Sequence, residues 1–143
     1  MINRNIIQKT LSTVIDGIIA KYKSMAYYTD IDMDGIAVKA GHREELDEPS
    51  RFLIEDVVET IRTLVVSITD EPPEEVVGSV VFVFNSLSDI EVVVDVRKDF
   101  RALYFGREFV NQKVVKQLIM NVTAKYSKIY QRQYAINLYN IEN

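Results

Sequence analysis

Between Thr29 and Ile36 the sequence runs TDIDMDGI, with Asp30, Asp32 and Asp34 at every second position and Gly35 behind them. Carboxylates in that pattern suit a hard cation. Ca²⁺ takes about six to eight oxygens, and a glycine lets the chain turn sharply enough to bring alternate carboxylates around one ion. The same pattern also suits a strand with one wet face, ended by a glycine bend. A divalent cation held by Asp30, Asp32 and Asp34 is the one cofactor the residue types suggest; otherwise none is expected.

Asp30-Ile-Asp32-Met-Asp34-Gly35 is similar to the first half of the EF-hand loop. The second half departs from it. Gly41 stands where a bidentate glutamate should close the coordination sphere, and Val38 stands at the ninth position. The ten residues IDMDGIAVKA also resemble the aspartate-bearing strand-to-helix turn of DHH-type phosphoesterases. That family needs a later Asp-His-His, and this chain has one histidine, His42, in the polar stretch GHREE, where an exposed side chain is expected. A second acidic row, Glu91, Asp95 and Asp99, would complete a metal-dependent phosphoesterase or nuclease site if its strand lay beside the first. No G-x-S-x-G, P-loop or G-x-G-x-x-G appears. The absence of cysteine excludes disulfides, thiolate zinc sites and cysteine nucleophiles.

Charge offers a different chemistry, that of contact. Residues 25–75 carry fourteen acidic and four basic side chains, whereas both ends of the chain are net basic. Within the acidic part, Glu44, Glu45, Asp47 and Glu48 form a compact run that suits docking onto a basic protein. The same polarity suits head-to-tail self-assembly. The tail QYAINLYNIEN is too apolar for a free end, so Tyr134, Ile136, Leu138 and Tyr139 are expected to anchor a partner or to pack. Lys113, Lys116, Lys125, Lys128 and Arg132, with tyrosines at 126, 130 and 134, carry the ingredients of single-strand nucleic-acid binding. Against that reading, the tyrosines coincide with the core-facing stripe, and the whole chain is acidic, with a pI of about 5.1.

The elements that must position these residues follow from periodicity. Ile7, Leu11, Val14, Ile18 and Tyr22 predict a first amphipathic helix, and Gly17 within it predicts close packing against a neighbour. Asp16 and Lys21 interrupt its apolar stretch, so it reads as part of the fold and not as a signal peptide. Alternation from Tyr28 to Asp34 predicts a strand that resumes at Ile36–Ala40 after Gly35. Asp47 or Ser50 caps a second helix whose apolar face includes Phe52, Val57, Ile61 and Val65, and Pro72 and Pro73 follow it. Val80–Phe84 and Ile90–Arg97 predict a hairpin, Ala102–Phe105 a third strand, and 111–131 a last helix.

The expected fold is α+β in the order α-β-α-β-β-(β)-α, with helices packed on a small, mainly antiparallel sheet. The 143 residues form one expected domain, with 134–143 as an interface or packing tail. No apolar run approaches the roughly 18 residues a membrane span needs, so a cytoplasmic or virion protein is expected. The expected role is non-catalytic protein binding, as an oligomerising assembly component or an acidic inhibitor of immunity type. A metal-dependent phosphoesterase or nuclease, and nucleic-acid binding through the last helix, are the rival classes.

Overall fold

The computed structural model describes residues 4–105 and 110–141, with side chains for 11–104 and 113–141. A first helix, α1 (Arg4–Lys23), precedes a hairpin of β1 (Tyr27–Met33) and β2 (Ile36–His42). Helix α2 (Glu48–Thr69) and the single turn α3 (Pro73–Val76) lead to β3 (Val77–Phe84), which folds back as β4 (Asp89–Val96). A 3₁₀ turn at Lys98–Phe100 and α4 (Arg101–Phe105) come before α5 (Val110–Tyr130), and β5 (Ala135–Asn140) follows it.

The five strands form one sheet in chain order, β1-β2-β3-β4-β5. The two hairpin pairs, β1/β2 and β3/β4, are antiparallel; β2/β3 and β4/β5 are parallel. The molecule is therefore α+β, roughly as expected, but its sheet is mixed: two antiparallel hairpins are joined to parallel pairs. The reason is mechanical. A helix between two neighbouring strands returns the chain to its starting end, so the second strand must run parallel to the first. Helices α2 and α5 are those returns. Two further expectations change with them. Ala102–Phe105 is the helix α4, with Tyr104 fully buried, and not a strand. The tail is β5, which takes the place beside β4 that a third hairpin strand would have filled.

Helices α2 and α5 pack together on one face of the sheet. The main core lies beneath them, from Leu53, Val57 and Ile61 of α2 through Val80, Phe82, Ile90 and Val92 to Ile119 and Tyr126 of α5. On the opposite face α1 covers a smaller cluster, Ile15, Ile18 and Met25 against Val83 and Val93. Gly41 lets α1 approach, because a Cβ there would stand 2.9 Å from both Tyr22 and Met25. Gly17 plays no such part: a Cβ there meets nothing within 4 Å, so the close packing predicted for it is absent. Val14 and Phe52, expected inward, are both exposed.

Local chemistry sets the ends of these elements. Asp34 and Gly35 have φ of 51° and 93°, the left-handed pair that a two-residue hairpin turn needs to match strand twist. Asp47 caps α2 by accepting the Ser50 N–H at 3.0 Å. At its other end Asp70 enters the left-handed region and donates its N–H to Val66 O at 2.9 Å. Among the described residues, no helix is long and apolar enough to cross a membrane.

Candidate functional site

The three aspartates of TDIDMDGI belong to an edge strand and its turn. Asp30 and Asp32 share the sheet face that carries α1, and Asp34 sits in the turn itself. Asp32 Oδ1 accepts the Gly35 N–H at 2.9 Å, so this carboxylate stabilises the hairpin loop. The turn is also tied to α2: Arg62 Nη1 donates to Met33 O at 3.2 Å, and its Nη2 lies 4.0 Å from Asp34 Oδ2. Among the described residues, no group of three or more His, Cys, Asp or Glu side chains is placed to hold a metal ion.

The second acidic row does not meet the first. Glu91 and Asp95 lie on the same face as Asp30 and Asp32, but β2 and β3 stand between β1 and β4. Three inter-strand spacings separate the rows by about 14 Å, whereas paired catalytic metals lie roughly 4 Å apart. Glu91 is engaged elsewhere, by the Lys21 ammonium of α1 and by Asn85 Nδ2 at 2.9 Å.

His42 is not the exposed loop residue its neighbours suggest. It ends β2, only 6% exposed, and both ring nitrogens are engaged: Nδ1 lies 2.6 Å from Glu44 O and Nε2 3.1 Å from Thr29 Oγ1. With Tyr27 stacked on the ring at 5.7 Å, it fastens the start of β1 to the end of β2.

The acidic run after β2 divides by role. Glu44, Glu45 and Glu48 are exposed, while Asp47 is drawn inward as the α2 cap and pairs with Arg132 at 2.8 Å. Burial pushes the Asp47 carboxyl up, but bonds from Ser50 and Arg132 outweigh it and hold the group below the usual carboxylate range. On the last helix the tyrosines are interior groups. Tyr126 and Tyr134 are buried and pack edge to face at 6.0 Å, and the Tyr126 hydroxyl donates to Asp56. Burial, then the Asp56 carboxylate, drives the Tyr126 phenol above its ordinary value. These rings are not free to stack on bases, although Lys113, Lys116, Lys125 and Lys128 are exposed.

The apolar tail is spent largely inside this chain. Tyr134, Ile136 and Leu138 enter the main core from β5, and half-buried Tyr139 packs against the cluster under α1. The strand's outer edge has no pairing strand among the described residues, and it is open only in part: Ile136 and Leu138 are 9% and 6% exposed, and Asn140 is fully buried. Ala135 N–H bonds Ser88 O at 2.7 Å and Ile141 N–H bonds Val94 O at 3.0 Å. Odd-numbered residues of β5 therefore face β4, and the backbone groups of Ile136, Leu138 and Asn140 point away from the sheet. Beside this edge runs a shallow groove formed by Lys116, Ile119 and Met120 of α5 with Ile136 and Leu138. Met120 is 61% exposed.

The other edge is β1. Its two-residue turn makes Met33 and Ile36 a hydrogen-bonded pair, which leaves the backbone of Tyr28, Asp30 and Asp32 pointing outward. Tyr27 and Ile31 are 53% and 43% exposed along it. Among the described residues no strand pairs with the outer edge of either β1 or β5. The β5 edge and the Met120 flank were missed in the sequence because the tail was not read as a strand. The alternation Ile136-x-Leu138-x-Asn140 was the available signal.

In comparisons with known proteins, no family model, no curated protein and no solved structure matches the chain.

Proposed function

We propose that this chain is a non-catalytic protein-binding protein that works as an oligomerising assembly component. The observation that supports this reading is the pair of sheet edges that no strand among the described residues covers, each bordered by exposed apolar side chains: Tyr27 and Ile31 at β1, Met120 at β5. An exposed, unpaired edge next to apolar area is a template for strand addition, and monomeric proteins commonly blunt such edges. The lack of cysteine suits a cytoplasmic or virion setting. Light-scattering mass measured across protein concentration tests the proposal. A mass of two or more chains that rises with concentration is expected; one chain at every concentration overturns it.

A second reading rests on Glu44, Glu45 and Glu48, which stand exposed together on the β2–α2 turn. They form an acidic surface of the kind an inhibitor presents to a basic partner. The same measurement separates the two roles, since an inhibitor of that type remains a single chain on its own and gains mass only with a basic protein in low salt.

A further inference from the structure

We infer that copies of this chain join head to tail, with β1 of one molecule adding as a strand beside β5 of the next, so that the sheet continues from chain to chain. This rests on the assembly reading above and names its partner: a second copy.

Strand geometry permits the join. β1 is antiparallel to β2, β2 parallel to β3, β3 antiparallel to β4, and β4 parallel to β5. β1 and β5 therefore run in the same direction. A second copy in the same orientation brings its β1 parallel to β5, the relation β4 already has to β5. The strands match in length, seven residues against six. The outward backbone groups of Tyr28, Asp30 and Asp32 then meet those of Ile136 and Leu138, while Asn140, fully buried, lies outside the join. On the face that carries α5, the incoming strand presents Tyr27, Thr29, Ile31 and Met33, and Ile31 reaches the groove beside Met120.

Charge selects a second copy, and selects unlike ends. Residues 110–141, which form α5 and β5, carry five basic and no acidic side chains. Residues 25–75, which form β1, β2, α2 and most of α3, carry fourteen acidic and four basic ones. Because the strands lie in chain order, this asymmetry along the sequence becomes one across the sheet, acidic at the β1 end and basic at the β5 end. Asp30 and Asp32 lie at the β1 edge on the face that carries α1, so the acidic side chain on the α5 side of the sheet is Glu55. Glu55 lies two helical turns before Arg62 on the flank of α2 that reaches the β1 turn. Exposed Lys113 and Lys116 line the flank of α5 beside β5. Like ends repel and unlike ends attract, so the contact is heterologous and yields a ring or a filament, not a two-fold dimer.

Two exposed substitutions test it, read by light-scattering mass at low salt with thermal melts confirming the fold. Met120→Glu places an acid where the acidic edge must dock. Asp30→Pro removes an outward N–H from β1 without taking one from the β1/β2 ladder. Each variant alone is expected to fall to one chain. Their equimolar mixture is expected to give a dimer, joining the free β1 of one variant to the free β5 of the other. If the wild type is multimeric and neither variant changes its mass, copies meet elsewhere: the head-to-tail join is overturned and the assembly reading stands. Loss of mass with Met120→Glu alone indicates β5 pairing with β5 and overturns the join as well. A wild type that stays a single chain removes both. Should Asp30→Pro lower the melting temperature, Ile31→Lys blocks the same edge from an exposed position.

Discussion

Asp47 shows how a single side chain can be taken from a surface role into a structural one. It lies in an acidic run, yet it closes the N-terminus of α2 and reaches across to Arg132 beyond the end of α5. The two crossover helices are antiparallel, so one carboxylate can tie the start of the first to the end of the second. Its folded-state pKa is depressed, which fixes the sign of its pH dependence. The unfolded carboxyl takes up a proton first, near pH 4. The stability it contributes is therefore full above that pH and is lost as pH falls through the lower folded value. Asp47→Ala is expected to cost about 1 kcal/mol near neutral pH through the lost cap. The gap between variant and wild type should begin to narrow near pH 4 and shrink further as pH falls. Urea melts at pH 7 and pH 3 measure it; a gap independent of pH would show that the charge contributes nothing. His42 shows the same shift from expected surface to structure, since its two ring bonds and the Tyr27 stack are invisible in the polar string GHREE.

At the scale of elements, short-range patterns were legible and long-range ones were not. The β3/β4 hairpin, the α2 limits with the Asp47 cap, and the inward residues Val57, Ile61, Val65, Val115 and Ile119 follow from periodicity and turn chemistry that neighbouring residues carry. The pairing of β2 with β3 and of β4 with β5 joins segments separated by whole helices, and no local pattern states it. The spacing of Asp30, Asp32 and Asp34 fits a cation loop as well as a strand with one wet face. The competing signal was Asp34-Gly35 between alternating residues, which marks a hairpin turn. The tail was the costliest omission, because β5 both completes the core and creates the open edge. Its burial yields a prediction at this scale. Ile136 and Leu138 each stabilise the fold by roughly 1.5–3 kcal/mol and Tyr134 adds to them. A domain of this size is stable by only about 5–15 kcal/mol. Removing residues 134–143 is therefore expected to abolish cooperative thermal unfolding. A truncated chain that melts as sharply and as high as the full one would mean that β5 lies on the fold and not in it.

From β1 to β5, strand order and charge order coincide, acidic around β1 and basic around β5, and this makes the sheet electrically polar. Strand addition alone does not choose an orientation: a free β5 can pair with another β5 as readily as with β1 by backbone bonds. In the proposed join, Glu55 on the flank of α2 and Lys113 and Lys116 on the flank of α5 share one face of the sheet and would supply the choice. Facing charges at such a junction remain near solvent, so their attraction is screened over about 10 Å at 0.1 M salt and about 3 Å at 1 M. In the proposed join, the apolar contact of Ile31 with Met120 would not be screened. Two dependences on salt follow. Association should weaken as NaCl rises from 0.05 to about 0.5 M, because long-range attraction between unlike ends fades within a few ångströms over that range. Ammonium sulfate at matched ionic strength should weaken it less, since sulfate strengthens apolar burial while screening the same charges. Sedimentation velocity across both series reads the result directly. Association that is indifferent to NaCl would place the contact on an uncharged surface, and association that strengthens with NaCl would mean that like ends meet.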